Sequence, residues 1–516
     1  GGRRRQAGGV RTPPFVARGQ AASLPPLRDR GHRGQRIHRL RARDAREQVE
    51  RERDGALRGQ TPNGVVVLER LQDRDDERAL AIQEKASGRT LTVGFSCKDF
   101  PENLASKVAP LLRGALAEPT GNEDHPFQPS TLEWRAGNHV LAFVNSREAA
   151  GLCAKGALTG DHVMHTRPRP LLVSEPAWNE EETLRAQLRQ SVLHFRDQYR
   201  RYLEANGAGS QDLSVSPRVV CLPGAGLFAA GPTKSAAIVT ADIAEHTLNA
   251  KTLAHLIGSY ESLSDVHLFD MEFRAIQRAK MASPQAGSLA RQVVVISGAA
   301  GAIGAATAEC CADAGAHVVL TDIDEPRLSL VVQHMHDRFG EGRAAGVPMD
   351  VTDEGSVRAG FEKIALLYGG VDTLVPNAGI AHVAPIDELE LADFHRVMEV
   401  NAVGCFLFMR EGIRMMKRQG TGGQIVVIAS KNVFAPGKDF AAYSASKSAA
   451  HQLGKVAAIE LAPFGIRVNM INPDAVFGDT TTASGLWNTI AVNRAKSRNI
   501  TVEELPDFYR QRNLLK

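Results

Sequence analysis

The run Val293–Ile296, followed by Ser297-Gly298-Ala299-Ala300-Gly301-Ala302-Ile303-Gly304, constrains this chain more than any other stretch. Four consecutive apolar residues suit a strand covered on both faces, as in parallel sheets. The glycines after it, three apart, permit a tight turn, close backbone approach to a pyrophosphate and close helix packing. A helix of small residues follows, and a helix N-terminus favours phosphate. A second strand, His317–Thr321, ends in Asp322, eighteen residues past Gly304. A carboxylate there can accept both adenosine ribose hydroxyls and repels a 2′-phosphate, so the cofactor expected is NAD.

Strand and helix keep alternating from Arg291 onward. Asp350-Val351-Thr352 follows a third strand. Val371–Val375 is a fourth, followed by Asn377-Ala378-Gly379. A helix containing Val400-Asn401-Ala402-Val403-Gly404 comes next, then a strand Ile425–Ile428 that reaches Ser430. A helix starts at about Ala441, and a sixth strand, Ile466–Ile471, ends in Asn472-Pro473-Asp474-Ala475-Val476. Repeated βα units predict an α/β fold with a doubly wound parallel Rossmann sheet and a ligand at the C-terminal strand ends.

Tyr443 and Lys447 are four apart on the predicted helix and share one face. A free tyrosine titrates near 10 and is a poor acid or base at neutral pH. A lysine ammonium beside it is expected to favour the phenolate and lower that pKa. Ser430 can hold a substrate oxygen against the phenol. This is equipment for moving a proton on or off an alcohol or carbonyl.

With these motifs in order, residues 291–516 resemble the short-chain dehydrogenase/reductase family. The resemblance implies that Gly298, Gly301, Ile303, Gly304, Asp322, Asp350, Val351, Asn377, Ala378, Gly379, Pro473 and Val476 line the dinucleotide, together with Tyr443 and Lys447. It implies a catalytic tetrad of Asn401, Ser430, Tyr443 and Lys447. Tyr443 would be the acid/base, Lys447 the ribose grip, and Asn401 the anchor of a relay water. The chain departs from the family pattern at Ser297 (for Thr), Ala302 (for the middle Gly) and Asp474 (for the Gly after Pro).

Residues 60–290 alternate short apolar runs with long helical patterns. Leu104–Leu116 and Glu180–Leu203 read as amphipathic helices, and Val140–Val144, Leu171–Val173 and Val219–Leu222 as strands. Gly231-Pro232-Thr233 opens a helix to about Leu263, another spans about Leu268–Met281, and 283–288 has linker chemistry. Together with Leu222–Gly231 (LPGAGLFAAG), His165–Pro170 (HTRPRP) and the NPDAV segment, this region resembles the bifunctional class II aldolase/short-chain dehydrogenase group, whose members are often called rhamnulose-1-phosphate aldolase/alcohol dehydrogenase. The implied division is a partial aldolase-like α/β domain at 61–285 and a Rossmann domain at 286–516. The latter is expected to be C-terminally incomplete, with Ile466–Ile471 as an uncovered, association-prone sheet edge.

The nearest histidine pairs, His162 with His165 and His246 with His255, lack a third ligand at a suggestive spacing, so no metal is expected. Arg167 and Arg169 could hold a sugar phosphate, but HTRPRP reads as a surface loop. Residues 1–60 hold 16 Arg, no Lys and 6 acidic residues, a net of +10. The chain as a whole is +4, which leaves about −6 for the remainder. Such an aperiodic, polar segment is expected to be disordered, a solvated extension and not a nucleic-acid partner. No apolar run approaches a membrane span. The six cysteines have no framework spacing and the opening residues no signal-peptide pattern, so a reduced cytoplasmic protein is expected. The activity expected is NAD-dependent hydride transfer on a small alcohol or carbonyl compound, possible sugar-derived substrates included, by a homo-oligomer. The rivals are a sugar-phosphate aldolase in the middle region and a non-catalytic dinucleotide-binding remnant.

Overall fold

A computed structural model describes residues 81–82, 84–95, 103–208, 214–273, 287–477, 485–496 and 498–512 of the 516. The Arg-rich segment 1–60 and most of the 283–288 linker lie outside these. The chain divides into two compact units, Gly1–Glu84 and Lys85–Lys516. In the first only Ala81, Ile82 and Glu84 are described, all helical. Everything below concerns the second.

Its larger sheet has six parallel strands in the order Ile466–Ile471, Gly423–Ile428, Thr373–Val375, Val293–Ser297, His317–Asp322, Ala344–Pro348. This is the doubly wound order, and it reverses between Val293–Ser297 and Thr373–Val375, where such sheets open a ligand crevice. Val293–Ser297 is buried along its whole length, as its unbroken apolar run requires. Ile466–Ile471 is an edge of the sheet among the described residues, with Ile471 half exposed.

A second sheet has four strands in the order Thr131–Arg135, Gly226–Gly231, Val219–Leu222, Leu171–Leu172. Two of these, Thr131–Arg135 and Gly226–Gly231, are strands that the hydrophobic pattern does not announce. The second follows from turn chemistry. Pro223 and Gly224, the latter at φ 84°, occupy the corner of a turn closed by the Ala225 N–H on the Leu222 carbonyl. A Cβ on Gly226 would lie 2.4 Å from the Arg135 carbonyl oxygen, so the hairpin closes onto its neighbour only with glycine there.

One local expectation is corrected. Val140–Val144 is not a strand but part of a helix, Asn138–Val144. Val140, Phe143 and Val144 are buried at helical spacing, and a short apolar run does not by itself distinguish the two states. Leu104–Leu116 forms as an amphipathic helix with those bounds, yet its polar side does not face solvent: only Lys107 is exposed, and Gly114 is partly so. It packs against the helices Glu181–Ala205, Glu354–Tyr368 and Gly404–Gln419. One apolar cluster therefore runs from Val108 and Leu112 through Leu188 to Val295, Phe361 and Phe408, and the two halves share a core. The other helices follow their caps. Thr233 accepts from Ala236 N at the start of Lys234–Ile257, which stops before Gly258 and short of Leu263. Asp265–Phe273 covers the described part of the helix expected over Leu268–Met281. No described helix is long and apolar enough to cross a membrane.

Candidate active site

The crevice at the sheet's switch point is a cavity of about 890 Å³. The Gly-rich turn forms one wall. Gly298 stands at φ 63°, and a Cβ on it would come within 2.7 Å of Ala378 Cα. A Cβ on Gly304 would meet the Gly298 oxygen at 2.4 Å. Both glycines are thus demanded by backbone packing. Gly301 is different: a Cβ there would meet only the Gly298 oxygen, at 3.4 Å, which leaves its face open towards the cavity. Gly298, Gly301 and Ile303 line the cavity, whereas Gly304 does not and serves the turn itself. The geometry suits a pyrophosphate-sized anion lying against the turn at the start of helix Ala302–Asp313.

Asp322 also lines the cavity. Its carboxylate accepts from the backbone N–H of Ala300 at 2.9 Å and of Asp324 at 3.1 Å, so it is held in place by the turn it faces. Asp350, Val351, Asn377, Ala378 and Gly379 continue the wall. Asp350 accepts from both the N–H and the hydroxyl of Thr352, at 2.9 and 2.7 Å. Asn377 does more than line. Its Nδ2 donates to the Ser297 and Gly298 carbonyls, both at 2.9 Å, while the Ser297 hydroxyl accepts from Asn377 N and Ala378 N. The serine in place of the family's threonine keeps that clasp.

Tyr443, Lys447, Pro473 and Val476 lie at the same cavity's wall. Tyr443 and Lys447 are buried on one face of helix Ala441–Leu461. Ser430, just past the end of strand Gly423–Ile428, is buried, accepts from Asn432 N at 3.2 Å and lies close enough to the Tyr443 phenol to lower its pKa. Lys447 Nζ donates to the Ile428 carbonyl at 3.0 Å and reaches towards Gly379, where an added Cβ would sit 3.1 Å from it. Asn401 lies within a π-helical turn, Glu399–Val403, between helices Leu391–Met398 and Gly404–Gln419. Such turns recur at functional sites. Its side chain is fully engaged: Oδ1 accepts from Ile380 N at 2.8 Å, and Nδ2 donates to Ile380 O and Ser446 Oγ, each at 2.9 Å. It joins the loop after Asn377 to the Tyr443 helix. Of the four residues, Tyr443 and Lys447 line the cavity, while Asn401 and Ser430 directly follow its lining residues Val400 and Ala429 in the chain.

The electrostatics correct one expectation. Burial pushes the Tyr443 phenol above its ordinary pKa, and the Ser430 hydrogen bond only opposes this. Burial also pulls Lys447 below its ordinary value, against a weaker pull from Cys405. The Lys447 ammonium donates to the Ile428 carbonyl and sits 6.0 Å from the centroid of the Tyr443 ring, and burial outweighs what lowers the phenol's pKa.

The middle region's candidates separate. The histidines that meet are His162 and His246, with ring centroids 5.5 Å apart, not the pairs close in sequence. Among the described residues no group of three or more His, Cys, Asp or Glu side chains could hold a metal ion. HTRPRP is not simply a surface loop. Arg167 is buried, with Nη1 on Tyr199 Oη at 2.8 Å and Glu272 Oε1 at 3.0 Å, while Arg169 Nη2 pairs with Asp265 at 2.6 Å. Arg167 is already neutralised and lies off the cavity.

Pattern reading missed several cavity residues: Ala300, Ile323, Met349, Ile380, His382, Asp393, Arg396 and Asp474 among them. Ala300, Ile380 and Asp474 adjoin motif residues and could have been reached by adjacency. Asp393 and Arg396 come from helix Leu391–Met398 and carry no local signal.

Comparison with known proteins agrees with this geometry. Residues 292–489 match the short chain dehydrogenase family, and residues 103–281 match the second domain of class II aldolases. The "Uncharacterized oxidoreductase YuxG" of Bacillus subtilis (strain 168) is 32% identical over 424 residues, 81% of this chain and 60% of that protein. The chain thus spans about three-fifths of that relative's length. Cis-4-hydroxycyclohexanecarboxylate dehydrogenase of Sinomonas cyclohexanicum is 39% identical over 201 residues, 39% of this chain and 78% of that protein. Sorbitol-6-phosphate 2-dehydrogenase of Escherichia coli (strain K12) is 37% identical over 180 residues, 35% of this chain and 70% of that protein.

Proposed function

The chain belongs to the short-chain dehydrogenase family, preceded by a class II aldolase second domain, and on that premise we propose that it is an NAD-dependent oxidoreductase acting on the CH–OH group of a small alcohol, or on the matching carbonyl. The observation that carries this reading is the meeting of Tyr443 and Lys447, with Ser430 beside the phenol, in one crevice with the Gly-rich turn and Asp322.

A bound nicotinamide supplies the hydride chemistry. The residues do the rest. Tyr443 gives or takes the proton at the substrate oxygen. Ser430 holds that oxygen and steadies the phenolate, opposing the burial that pushes the phenol pKa up. Lys447, poised next to Gly379, would hold the nicotinamide ribose; a cation brought closer to the phenol by that contact would favour its ionised form. Asn401 keeps the Ile380 loop against the Tyr443 helix, so the cofactor wall and the acid/base move as one piece. Asp322, already fixed by two backbone N–H groups, would accept the adenosine ribose hydroxyls and disfavour a 2′-phosphate. The three relatives carry oxidoreductase names, two of them dehydrogenases of hydroxylated compounds, which supports the same class of substrate.

The test is reduced-nicotinamide absorbance with a panel of polyols, secondary alcohols and aldehydes, run on the native chain and on Tyr443→Phe. Activity in the native chain that disappears in the variant supports the assignment. Activity of equal size in both removes Tyr443 from the chemistry.

A further inference from the structure

The spacing of Tyr443 and Lys447 leaves position 446 open, yet the residue there is buried and bonded on both sides. Ser446 is 0% exposed, and Asn401, which it meets, 1%. The Ser446 hydroxyl donates to the Tyr443 carbonyl at 2.8 Å and accepts from Asn401 Nδ2 at 2.9 Å. A serine within a helix commonly turns its proton onto a carbonyl three or four residues back. Its lone pairs are then left for a neighbouring element, here the π-helical turn that carries Asn401. Asn401 spends its other bonds on Ile380: Oδ1 accepts from Ile380 N at 2.8 Å, and Nδ2 donates to Ile380 O at 2.9 Å. Ile380 follows Gly379, towards which Lys447 Nζ reaches. The bonds thus run from Ile380 through Asn401 and Ser446 to Tyr443. They end on the carbonyl that, in an α-helix, also takes the Lys447 N–H.

We propose, resting on the oxidoreductase reading of the same site, that Ser446 is a positioning residue: it fixes the turn from Tyr443 to Lys447 against the Gly379–Ile380 wall and so aims the phenol at the reacting oxygen. Ser446 is not among the residues that line the cavity, and it acts through two that do. Each bond in the chain has a set direction. Ile380 N only donates and Ile380 O only accepts, so the Asn401 carboxamide has one orientation, and one Nδ2 proton is left over. Among the described residues Ser446 is that proton's acceptor. Without the hydroxyl a buried donor has no partner, which is costly. Relief comes only if the Tyr443 helix and the Asn401 turn move apart. Proton transfer does not tolerate such a shift, because the phenol must stand within hydrogen-bond reach of the substrate oxygen. A misplacement of about 1 Å can cost about 100-fold in rate. The balance at the phenol shifts as well, since Ser430 opposes the effect of burial only while the two stand close.

The experiment compares the native chain with Ser446→Ala, Asn401→Ala, the double variant and Tyr443→Phe, well below their unfolding temperatures. Ser446→Ala is expected to lower kcat about 10-fold and to leave KM for NAD, and the Kd of NADH read by fluorescence, within about 2-fold. The rise of alcohol oxidation with pH should move to higher pH, because the phenol keeps its burial and loses what opposes it. The double variant should lose no more than Asn401→Ala alone, since the two residues act in series. If Ser446→Ala does not fold, Ser446→Cys, with its weaker donor and acceptor, is read in the same way. A lower melting temperature with kcat and pH profile unchanged would make Ser446 a structural residue only and overturn the proposal. So would losses that multiply in the double variant. The premise fails separately: it falls if the native chain turns over no alcohol or carbonyl, or if Tyr443→Phe keeps full rates. In that event the phenol is titrated directly, by the phenolate absorbance of each chain less that of its Tyr443→Phe version. A higher midpoint in Ser446→Ala than in the native chain upholds the positioning, and equal midpoints sink it.

Discussion

The two ends of the six-stranded sheet use similar groups in opposite ways. At the C-terminal strand ends, Asp322 is fixed by two backbone N–H groups but faces a cavity, and Lys447 donates to the single carbonyl of Ile428 while lining that cavity. At the other end, Asp372 is consumed. Its carboxylate takes Arg113 Nη1 and Nη2 at 2.9 and 2.7 Å and Val293 N at 2.7 Å, and Arg113, fully buried, also donates to Gln419 and to the Ser130 carbonyl. Lys234 is likewise spent on the Leu132 carbonyl, the Leu367 carbonyl and Glu133, and burial pulls its pKa down to about 7. The lesson is that burial alone does not mark a functional charge. What separates the two ends is that Asp322 and Lys447 line a cavity, whereas Asp372 and Lys234 do not.

The largest effect expected from breaking this contrast is at the cavity end. Tyr443→Phe should lower turnover by about 10²–10⁴ while leaving thermal stability nearly unchanged, because the ring's packing stays. A variant that loses stability and keeps rate would place Tyr443 with the structural set. At the opposite end the signature inverts. Arg113→Ala leaves the partly buried Asp372 without its cation and opens a void at a fully buried side chain, and should cost about 3 kcal/mol in urea unfolding. It should also loosen helix Leu104–Leu116 against Gly404–Gln419, where an added Cβ on Gly114 would already lie 1.8 Å from the Gln419 oxygen. A change below about 1 kcal/mol would show that the two halves do not depend on this lock.

Acid should probe the same end. His317 is buried, its Nε2 accepts from Lys234 N at 2.9 Å, and its Nδ1 has no partner among the described residues. Burial, then the charges of Arg343, Arg113 and Lys234, pull its pKa from 6.5 to about 4, with Asp372 opposing. The unfolded chain therefore binds the proton first. The stability contributed by the neutral ring is complete above pH 6.5 and is lost as pH falls from there to about 4, on the order of 3 kcal/mol. His317→Gln cannot titrate, so the native chain's advantage over it should shrink across that window. An advantage independent of pH would refute the assignment. The smallest effect expected is selectivity. Asp322 should favour NAD over NADP on the order of 100-fold, from two charge-assisted ribose bonds and repulsion of the 2′-phosphate. Equal kcat/KM with both cofactors would move Asp322 to a purely structural role as the clasp of Ala300 and Asp324.

The Rossmann half was legible because its signals are local. A strand, a glycine turn and a helix start within twelve residues, and Tyr443 with Lys447 lies one helical turn apart, so spacing alone places them together. The five strands of the parallel sheet given bounds stand within two residues of them, and the third, expected only as preceding Asp350, is Ala344–Pro348. The middle region was less legible. Thr131–Arg135 is half polar, and Gly226–Gly231 is rich in glycine and alanine, so neither looks like a strand until a neighbour supplies its hydrogen bonds.

What the sequence by itself determined is therefore each element whose identity rests on its own periodicity and turn residues, and the motif set that rides on those elements. What only the tertiary structure decided is pairing across distance. Arg113 meets Asp372 from 259 residues away, His162 meets His246 rather than His165, and Lys431 meets Asp474 across two strand ends. The same holds for the fate of Leu104–Leu116, buried nearly all round because a second half closes over it. The physical reason is common to all of these. Local conformation is set by sterics and hydrogen bonds within a few residues, whereas a side chain's electrostatic partner and its access to water depend on which surfaces the folded chain brings together.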